Sequence, residues 1–213
     1  MSQSRRSPRS LPAIAVLCSG QGTNLQALLT SARAGRLGAR VAIVISDRPD
    51  AHALERAKRA GVEARYVNPR QFPTRAEYER ALISLLETRG VRYVCLAGFM
   101  RLLSPVFVAQ YPNRILNVHP ALLPAFPGAH AVRDALRWGA KMTGVTVHLV
   151  DAAVDHGPIL LQEAVPIRAK ETEASVLARI HRVEHRLYPA AVRLMAGGMV
   201  LVEGRVARMV RRA

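Results

Sequence analysis

The chain has 213 residues, half of them hydrophobic, with a mean hydropathy near zero and a formal net charge of +16. This length favours one domain with one buried core, and the longest apolar runs are strand-sized, which argues against both disorder and a membrane span. The charge is able to steer anionic ligands, but the sequence has no RNA-binding signature and no dense Lys/Arg block, so we expect no nucleic-acid partner.

The N-terminal segment, residues 1–12, is rich in Arg and Ser and contains no acidic residue. It is too short and too poor in apolar residues for a transit peptide, so we predict a disordered basic extension before a single domain over residues 13–213. Cys18 and Cys95 each lie inside an apolar segment. Two cysteines in such positions are typical of reduced core residues in a cytoplasmic protein.

The first half of the chain alternates strand and helix patterns. Leu25, Leu28, Leu29 and Ala32 have helical spacing, residues 50–60 form a second helical segment, and a capping box over residues 74–77 begins a third. Short apolar runs between them predict strands over residues 13–17, 41–45, 93–97 and 115–118. Apolar strands that alternate with helices indicate an α/β fold with a doubly wound, mostly parallel sheet.

The second half has a different pattern. Residues 144–150 alternate apolar and polar side chains, residues 158–166 are extended, and an amphipathic helix follows with Val176, Ile180, Val183 and Leu187 on one face. Residues 199–210 contain two short strand patterns around Gly204, which predict a hairpin. We expect these late strands to be antiparallel or to lie at the edge of the sheet.

A candidate catalytic group lies where the fourth predicted strand ends. Asn117-Val118-His119-Pro120 follows an apolar run, and Asp155 lies in a later loop. An amide can donate to a developing oxyanion, an imidazole can move a proton, and a carboxylate can raise the pKa of that imidazole. Ligands of open parallel sheets bind at the carboxyl ends of strands, which is where these residues lie. Together the three groups suit acyl transfer between two amines. We expect Asp155 to keep His119 protonated.

A second candidate site is the loop of residues 19–24, which joins the first strand to the first helix. The free N–H groups of a helix N-terminus attract phosphate, and Thr23 with Gln26 fits a capping box. The loop lacks the three glycines of the dinucleotide fingerprint and the Gly-Lys-Ser/Thr of the P-loop. A plain tight turn explains the same residues equally well.

A metal site is suggested by one motif, because His181, Glu184 and His185 match the H-x-x-E-H pattern of some zinc proteases. That pattern needs a third ligand downstream. Only 28 residues follow His185, with Glu203 as the one acidic residue and no histidine. We therefore predict no metal.

Three segments carry a resemblance to a known family: residues 96–105 (LAGFMRLLSP), 117–124 (NVHPALLP) and 154–159 (VDHGPI). In wording, order and spacing they resemble the folate-dependent formyltransferases, from about Ala13 to about Pro189. The resemblance is greatest to the members that act on phosphoribosylglycinamide in purine synthesis. It implies a Rossmann-like core, 10-formyltetrahydrofolate as cosubstrate and no bound cofactor, in a cytoplasmic monomer or homodimer.

The resemblance also implies a role for individual residues. The catalytic set is Asn117, His119 and Asp155; the phosphoribosylglycinamide set is Gly22, Thr23, Asn24 and Glu184; the folate set is Arg75, Met100, Arg101, Leu102, Leu103 and Asn117. Many relatives carry a serine and a basic residue where this chain has Ala121 and Ala125. The two alanines put phosphate affinity in doubt, because neither side chain can contact the phosphate through a polar group.

Three alternatives stay open at this stage. A formyltransferase that acts on methionyl-tRNA resembles longer chains with an added C-terminal RNA-binding domain. A formyltetrahydrofolate hydrolase usually carries an N-terminal regulatory domain, and we expect neither addition here. A basic α/β module that binds nucleic acid would account for the charge but not for Asn117, His119 and Asp155.

Overall fold

The computed structural model describes residues 11–210, so the predicted disordered extension lies almost wholly outside the described residues. The elements alternate along the first two thirds of the chain and end in a hairpin. The strands are β1 (Ala13–Cys18), β2 (Arg40–Ser46), β3 (Glu63–Tyr66), β4 (Val91–Leu96), β5 (Ile115–His119), β6 (Met142–Leu149), β7 (Ile159–Pro166), β8 (Val200–Glu203) and β9 (Val206–Met209). The helices are α1 (Thr23–Arg33), α2 (His52–Arg59), α3 (Arg75–Glu87), α4 (Pro105–Gln110), α5 (Ala131–Trp138) and α6 (Glu173–Ala196).

All these strands belong to one sheet, in the order β3-β2-β1-β4-β5-β6-β7-β9-β8. The five strands from β3 to β5 in this order are parallel to one another. β6 is antiparallel to β5 and to β7, and the hairpin of β8 and β9 joins the edge through a parallel contact with β7. The predicted fold class is therefore confirmed, with its antiparallel strands in the C-terminal half.

Both faces of the sheet are covered, which explains why the central strands are apolar throughout. In β1, Ile14 and Val16 pack with α1 and α6 on one face, whereas Ala15 and Leu17 pack with α3 and α4 on the other. Successive side chains of a strand point to opposite faces, so a strand between two helical layers needs apolar residues at every position.

Several elements were not predicted, and each lacks a strong local pattern. β3 is an edge strand whose Glu63 and Arg65 form an ion pair at 2.8 Å, so its composition does not indicate a strand. α4 and α5 have only six and eight residues. Helices of that length show too few turns for a periodic pattern to emerge, so tertiary packing decides their formation.

The first helix begins at Thr23, and the predicted capping box of Thr23 with Gln26 is wrong. The N-cap is Gly22, in the left-handed conformation at φ 69°, with no side-chain cap. A Cβ on Gly22 would lie 2.7 Å from the Cβ of Ala53, so the turn needs glycine for both conformation and space. Gln26 instead directs its side chain to Arg56 and Thr30. The capping box at Thr74 and Glu77 is confirmed.

The carboxyl ends of β1, β4 and β5 lie side by side, with Leu17 opposite Leu96 and Leu96 opposite Asn117. The buried hydroxyl of Tyr188 in α6 lies 2.9 Å from the carbonyl oxygen of Leu96 and 3.0 Å from that of Leu116. This contact fixes α6 over the strand ends. Among residues 11–210, no helix is long and apolar enough to cross a membrane.

Candidate active site

The structure brings the three predicted catalytic side chains together. Asn117 and His119 are two residues apart in β5 and therefore share one face of the strand. Asp155, in the loop between β6 and β7, reaches both of them. Its Oδ2 lies 3.3 Å from Nδ1 of His119, and its Oδ1 accepts a hydrogen bond from Nδ2 of Asn117 at 3.3 Å. An amide, an imidazole and a carboxylate thus meet at the carboxyl end of a central strand.

A fourth polar side chain, His148 of β6, belongs to this group and was not predicted. It pairs directly with Asn117 across the antiparallel ladder and is buried. Its Nδ1–H donates to the carbonyl of Leu149 at 2.9 Å, and its Nε2 lies 3.2 Å from Asn117 Nδ2 and 3.5 Å from Asp155 Oδ1. In the sequence, the one indication of this role was a histidine inside a strand of alternating pattern. That Asn117 lies opposite His148 follows only from the register of the two strands.

His119 is only 3% exposed, and this burial decides its protonation state. Burial lowers the pKa of His119 below its ordinary value of 6.5, while Asp155 and the carbonyl of Phe126, 2.8 Å from Nε2, raise it less. The expectation that Asp155 keeps the ring protonated is therefore wrong for this state. Loss of solvation penalises the cation more than one neighbouring carboxylate favours it. The lowered pKa favours the neutral ring, whose Nε2–H donates to the carbonyl of Phe126, so the nitrogen that lacks a proton is Nδ1, which faces Asp155.

Asp155 is held in position by its backbone and by several donors. It adopts a left-handed conformation at φ 49°, and Oδ2 accepts a hydrogen bond from the amide of Gly128 at 2.8 Å. Burial raises the pKa of Asp155, but His148, Gly128 and His119 together lower it by more than burial raises it. The net pKa of Asp155 therefore lies below the ordinary value. The carboxylate is therefore ionised at neutral pH beside a neutral imidazole.

The loop that carries Asp155 is tied to the rest of the chain on both sides. Gly157 allows close approach, since a Cβ there would lie 2.0 Å from the carbonyl oxygen of Leu149. Next to Asp155, His156 contacts Asp151 through Nδ1 at 2.7 Å, and Arg205 of the terminal hairpin donates to its carbonyl at 2.7 Å. The predicted hairpin thus supports the loop of the candidate active site.

The loop after β5 is anchored from beneath by Thr146. Its buried hydroxyl donates to the carbonyl of Ala121 at 2.7 Å and accepts from the amide of Leu123 at 3.1 Å. Ala121 is fully buried, whereas Ala125 is exposed. Neither side chain carries a polar group, so the loop offers a phosphate only its backbone at these two positions.

The residues predicted for the amine substrate also come together. Asn24 at the start of α1 donates through Nδ2 to Oε2 of Glu184 in α6 at 2.9 Å, next to Gly22 and Thr23. Glu184 is 5% exposed, and burial raises its pKa although Asn24 and His181 act in the opposite direction. Oδ1 of Asn24 is buried without a hydrogen-bond partner among the described residues. A buried polar pair with an unused acceptor suits a ligand that carries hydroxyl groups.

Five of the six residues predicted for folate line a pocket of about 200 Å³ beside α3, and the sixth, Asn117, does not line it. Arg75 donates to Glu79 at 3.0 Å and to the carbonyl of Leu102 at 2.6 Å, and Glu79 accepts from the amide of Ser104 at 2.8 Å. The guanidinium of Arg101 lies 5.5 Å from the ring centre of Tyr78. Arg75, Met100, Arg101, Leu102 and Leu103 were predicted to line this pocket; Tyr78, Glu79 and Phe99 were not.

The pocket is joined to the loop of residues 19–24 through Ser19. The amide of Ser19 donates to the carbonyl of Gly98 at 3.0 Å, and its hydroxyl accepts from the amide of Met100 at 3.0 Å. In the sheet, β4 lies between β1 and β5, so the loop of residues 19–24, this pocket and the group around His119 follow three adjacent strand ends.

The residues of the zinc-protease pattern do not converge. The rings of His181 and His185 stack with their centres 6.2 Å apart, while Glu184 between them in sequence binds Asn24. Residues 11–210 contain no cluster of three or more side chains placed to hold a metal ion. The absence of a metal from the reaction stays a prediction.

Comparison with known proteins agrees with this arrangement. The sequence pattern of the family described as formyl transferase matches residues 13–192. The phosphoribosylglycinamide formyltransferase of Escherichia coli (strain K12) is 41% identical over 87% of each chain. The crystal structure of glycinamide ribonucleotide transformylase 1 from Symbiobacterium toebii superposes with a TM-score of 0.95, at 50% identity, covering 98% of this chain and 99% of the other.

A longer relative is also similar. The trifunctional purine biosynthetic protein adenosine-3 of Homo sapiens is 44% identical over 88% of this chain. The chain spans only 18% of the length of that relative.

Proposed function

The chain belongs to the formyl transferase family, and on this basis we propose that it transfers a formyl group from 10-formyltetrahydrofolate to the amine of phosphoribosylglycinamide. The reaction is a step of purine synthesis. The observation that carries the proposal is the contact of Asn117, His119 and Asp155 at the end of β5. The adjacent strands β4 and β1 lead to a pocket lined by Arg75 and its neighbours and to the polar pair at Asn24 and Glu184.

The proposed reaction begins with attack of the uncharged amine on the formyl carbon. The new carbon–nitrogen bond gives a tetrahedral intermediate with a negative oxygen. The amide of Asn117 donates to this oxygen from the end of β5, where a half-buried donor held by the protein is worth more than water. Both hydrogens of Nδ2 face acceptors, Asp155 Oδ1 at 3.3 Å and His148 Nε2 at 3.2 Å, so one of these two contacts is exchanged for the contact with the oxyanion.

The proton of the attacking amine then has to reach the leaving nitrogen of folate. The neutral ring of His119 accepts that proton and becomes a cation next to Asp155, 3.3 Å away. The cation stabilises the oxyanion while it exists and then donates to folate nitrogen N10. The carbon–nitrogen bond to folate breaks, and formylated product and tetrahydrofolate result with no net gain or loss of protons.

The direct test is an absorbance assay that follows deformylation of 10-formyl-5,8-dideazafolate. We expect deformylation to require phosphoribosylglycinamide and one formylated product to form for each folate consumed. Equal rates with and without the amine would indicate a hydrolase instead. Turnover of formyltetrahydrofolate only with methionyl-tRNA would indicate the other related activity.

Replacing Asp155 by asparagine tests the proton transfer. Asp155→Asn keeps size and most hydrogen bonds but removes the carboxylate that raises the pKa of His119. We expect that pKa to fall further and kcat to drop at least about tenfold. Because the neutral ring is the active form, activity is lost as pH falls through the pKa of His119, so the acid limb of the kcat profile should move to lower pH. NMR titration of His119 measures the shift directly.

The matched control for this variant is Asp151→Asn in the same loop. Asp151 contacts His156 rather than His119, so its loss should leave the titration of His119 unchanged. An identical pKa of His119 in Asp155→Asn and the unmodified protein would contradict electrostatic coupling between the two residues.

The proposed amine-substrate site is tested by Asn24→Asp. This change puts a carboxylate beside the proposed phosphate and directly against Glu184, where Asn24 now donates at 2.9 Å. We expect KM for phosphoribosylglycinamide to rise about tenfold or more, with KM for the folate nearly unchanged. Ser31→Asp, two turns further along α1, adds the same charge as a control. Loss of folate affinity instead would show that the two substrate sites are exchanged.

We further propose that folate enters as a cosubstrate and that the protein works in the cytoplasm. Cys18 and Cys95 support a reducing compartment, because both are buried and unpaired and burial raises the pKa of each thiol to about 12. Phosphoribosylglycinamide and 10-formyltetrahydrofolate are both anionic, which suits the basic charge of the chain.

A further inference from the structure

A second large cavity lies outside the proposed active site, in a groove between α1 and α6. Its volume is about 700 Å³, a size that suits a small organic ligand. One wall consists of the outer face of α1 from Thr23 to Ser31, and the other consists of the second half of α6 from His185 to Arg193. None of the residues proposed for catalysis or for folate lines this groove.

The groove is strongly basic. Arg36, Arg56, Arg186 and Arg193 line it, and no acidic side chain does. Arg186 is paired with Glu163 at 2.5 Å, and Arg56 is held by the carbonyl of Gln21 at 2.8 Å. Within the described part of the chain, Arg36 and Arg193 have no carboxylate within 4.0 Å. Two like charges without a counter-ion in one groove favour an anionic occupant.

The two unpaired arginines lie at the end of the groove away from the proposed substrate phosphate. Arg36 follows the C-terminus of α1, and the side chain of Arg193 passes 3.7 Å from the position of a Cβ on Gly38. Thr23 lies at the opposite end of α1, roughly 12 Å from Ser31 at the rise of an α-helix. This distance separates the arginine end from the site of Asn24 and Glu184.

The remaining lining residues indicate the rest of the ligand. The hydroxyls of Thr30 and Ser31 lie in the last turn of α1, beside the unpaired arginines. Next to them Ala27, Pro189 and Ala190 form a short apolar wall that leads back towards Thr23. Guanidinium and hydroxyl groups at one end suit phosphate oxygens, and an apolar wall suits a flat ring and a sugar.

We propose that this groove binds a nucleoside polyphosphate, with the phosphates at Arg36 and Arg193 and the nucleoside along the wall of Ala27, Pro189 and Ala190. The site is additional to the proposed transferase site and does not depend on that assignment, because none of its distinguishing residues belongs to the catalytic group.

Isothermal titration calorimetry of the full chain with ATP tests the proposal without any turnover measurement. We expect saturable binding at constant ionic strength, with AMP binding at least about tenfold more weakly because it lacks the phosphates that the arginines would hold. The double variant Arg36→Gln/Arg193→Gln should weaken ATP binding at least about tenfold. Ala190→Phe, which fills the wall without a change in charge, should also weaken ATP binding at least about tenfold.

The matched control is Arg33→Gln/Arg59→Gln, which removes the same charge from α1 and α2 outside the groove. It should bind ATP within about twofold of the unmodified protein. Equal loss of ATP affinity in both double variants would show that ATP binding depends on the net charge of the protein and not on the groove. That result would overturn the proposal. Full ATP affinity in Arg36→Gln/Arg193→Gln, together with a lower melting temperature, would show that the two arginines stabilise the helix ends and do not bind ATP. That result would also overturn the proposal.

Discussion

We expect His119→Ala to lower kcat by about 10²–10⁴-fold, which is the usual contribution of a positioned acid–base group. The reason is that the ring is buried beside Asp155 with its pKa lowered, so the neutral ring is present before attack and can act as the base. The side chain is 3% exposed, so little solvent reaches the ring to take its place. Steady-state kinetics with both substrates measures the loss, and the KM values should change less than kcat.

Two controls separate this loss from a loss of structure. His119→Asn keeps a polar side chain of similar size, so its melting temperature should remain close to that of the unmodified protein while its turnover falls like that of His119→Ala. His52→Ala removes an exposed histidine at the start of α2 and should leave kcat unchanged. Near-normal turnover of His119→Asn would remove proton transfer by His119 from the mechanism.

The parts of the fold that the sequence predicts are those where one residue pattern decides the structure. β1 and β2 are apolar at most positions because they lie between two layers of helices, and α6 repeats its apolar residues over many turns. The edge strand β3 carries Glu63 and Arg65, and its pairing with β2 comes from tertiary packing. The local sequence does not indicate the pairing of β3 with β2.

The residues of the candidate site also divide into those that the sequence indicates and those that only the folded chain brings together. Asn117 and His119 are close in sequence, and the resemblance to a family supplies Asp155. His148 joins them only because the register of β6 on β5 puts it opposite Asn117. Tyr188 likewise acts through a contact with strands that lie far away along the chain. Such partners follow from the register of strands and the packing of helices, which residue patterns do not encode.

The protonation of His119 could not be predicted for a related reason. Sequence reasoning identifies the charged neighbour, Asp155, and from that neighbour alone a raised pKa follows. The opposing effect is burial, which depends on how the loop of residues 120–130 and β6 close over the ring. In the folded chain burial is the larger effect, so the direction is reversed. The reversal matters because it makes His119 a base before attack and a cation only afterwards.

The second large effect that we expect is at Asn117, where Asn117→Ala should lower kcat by about 10²–10³-fold, the typical loss for one oxyanion donor. The amide lies 3.3 Å from Asp155 and 3.2 Å from His148, so two neighbours fix its orientation and alanine has no donor to replace it. Because the oxyanion exists only after attack, KM for either substrate should change by no more than a few-fold. Single-turnover measurements of formyl transfer isolate this step.

Asn117→Asp gives the sharper comparison, since it has nearly the same shape as asparagine but removes the donor. It also brings a second carboxylate to within about 3 Å of Asp155 by the present geometry, which raises the pKa of one of the two carboxyl groups. We expect turnover at neutral pH no higher than that of Asn117→Ala. If His119 and Asn117 act on the same oxyanion, the double variant Asn117→Ala/His119→Ala should lose much less than the product of the two single losses. Strictly multiplicative losses would contradict a shared oxyanion, and high turnover of Asn117→Asp would show that the donor lies elsewhere.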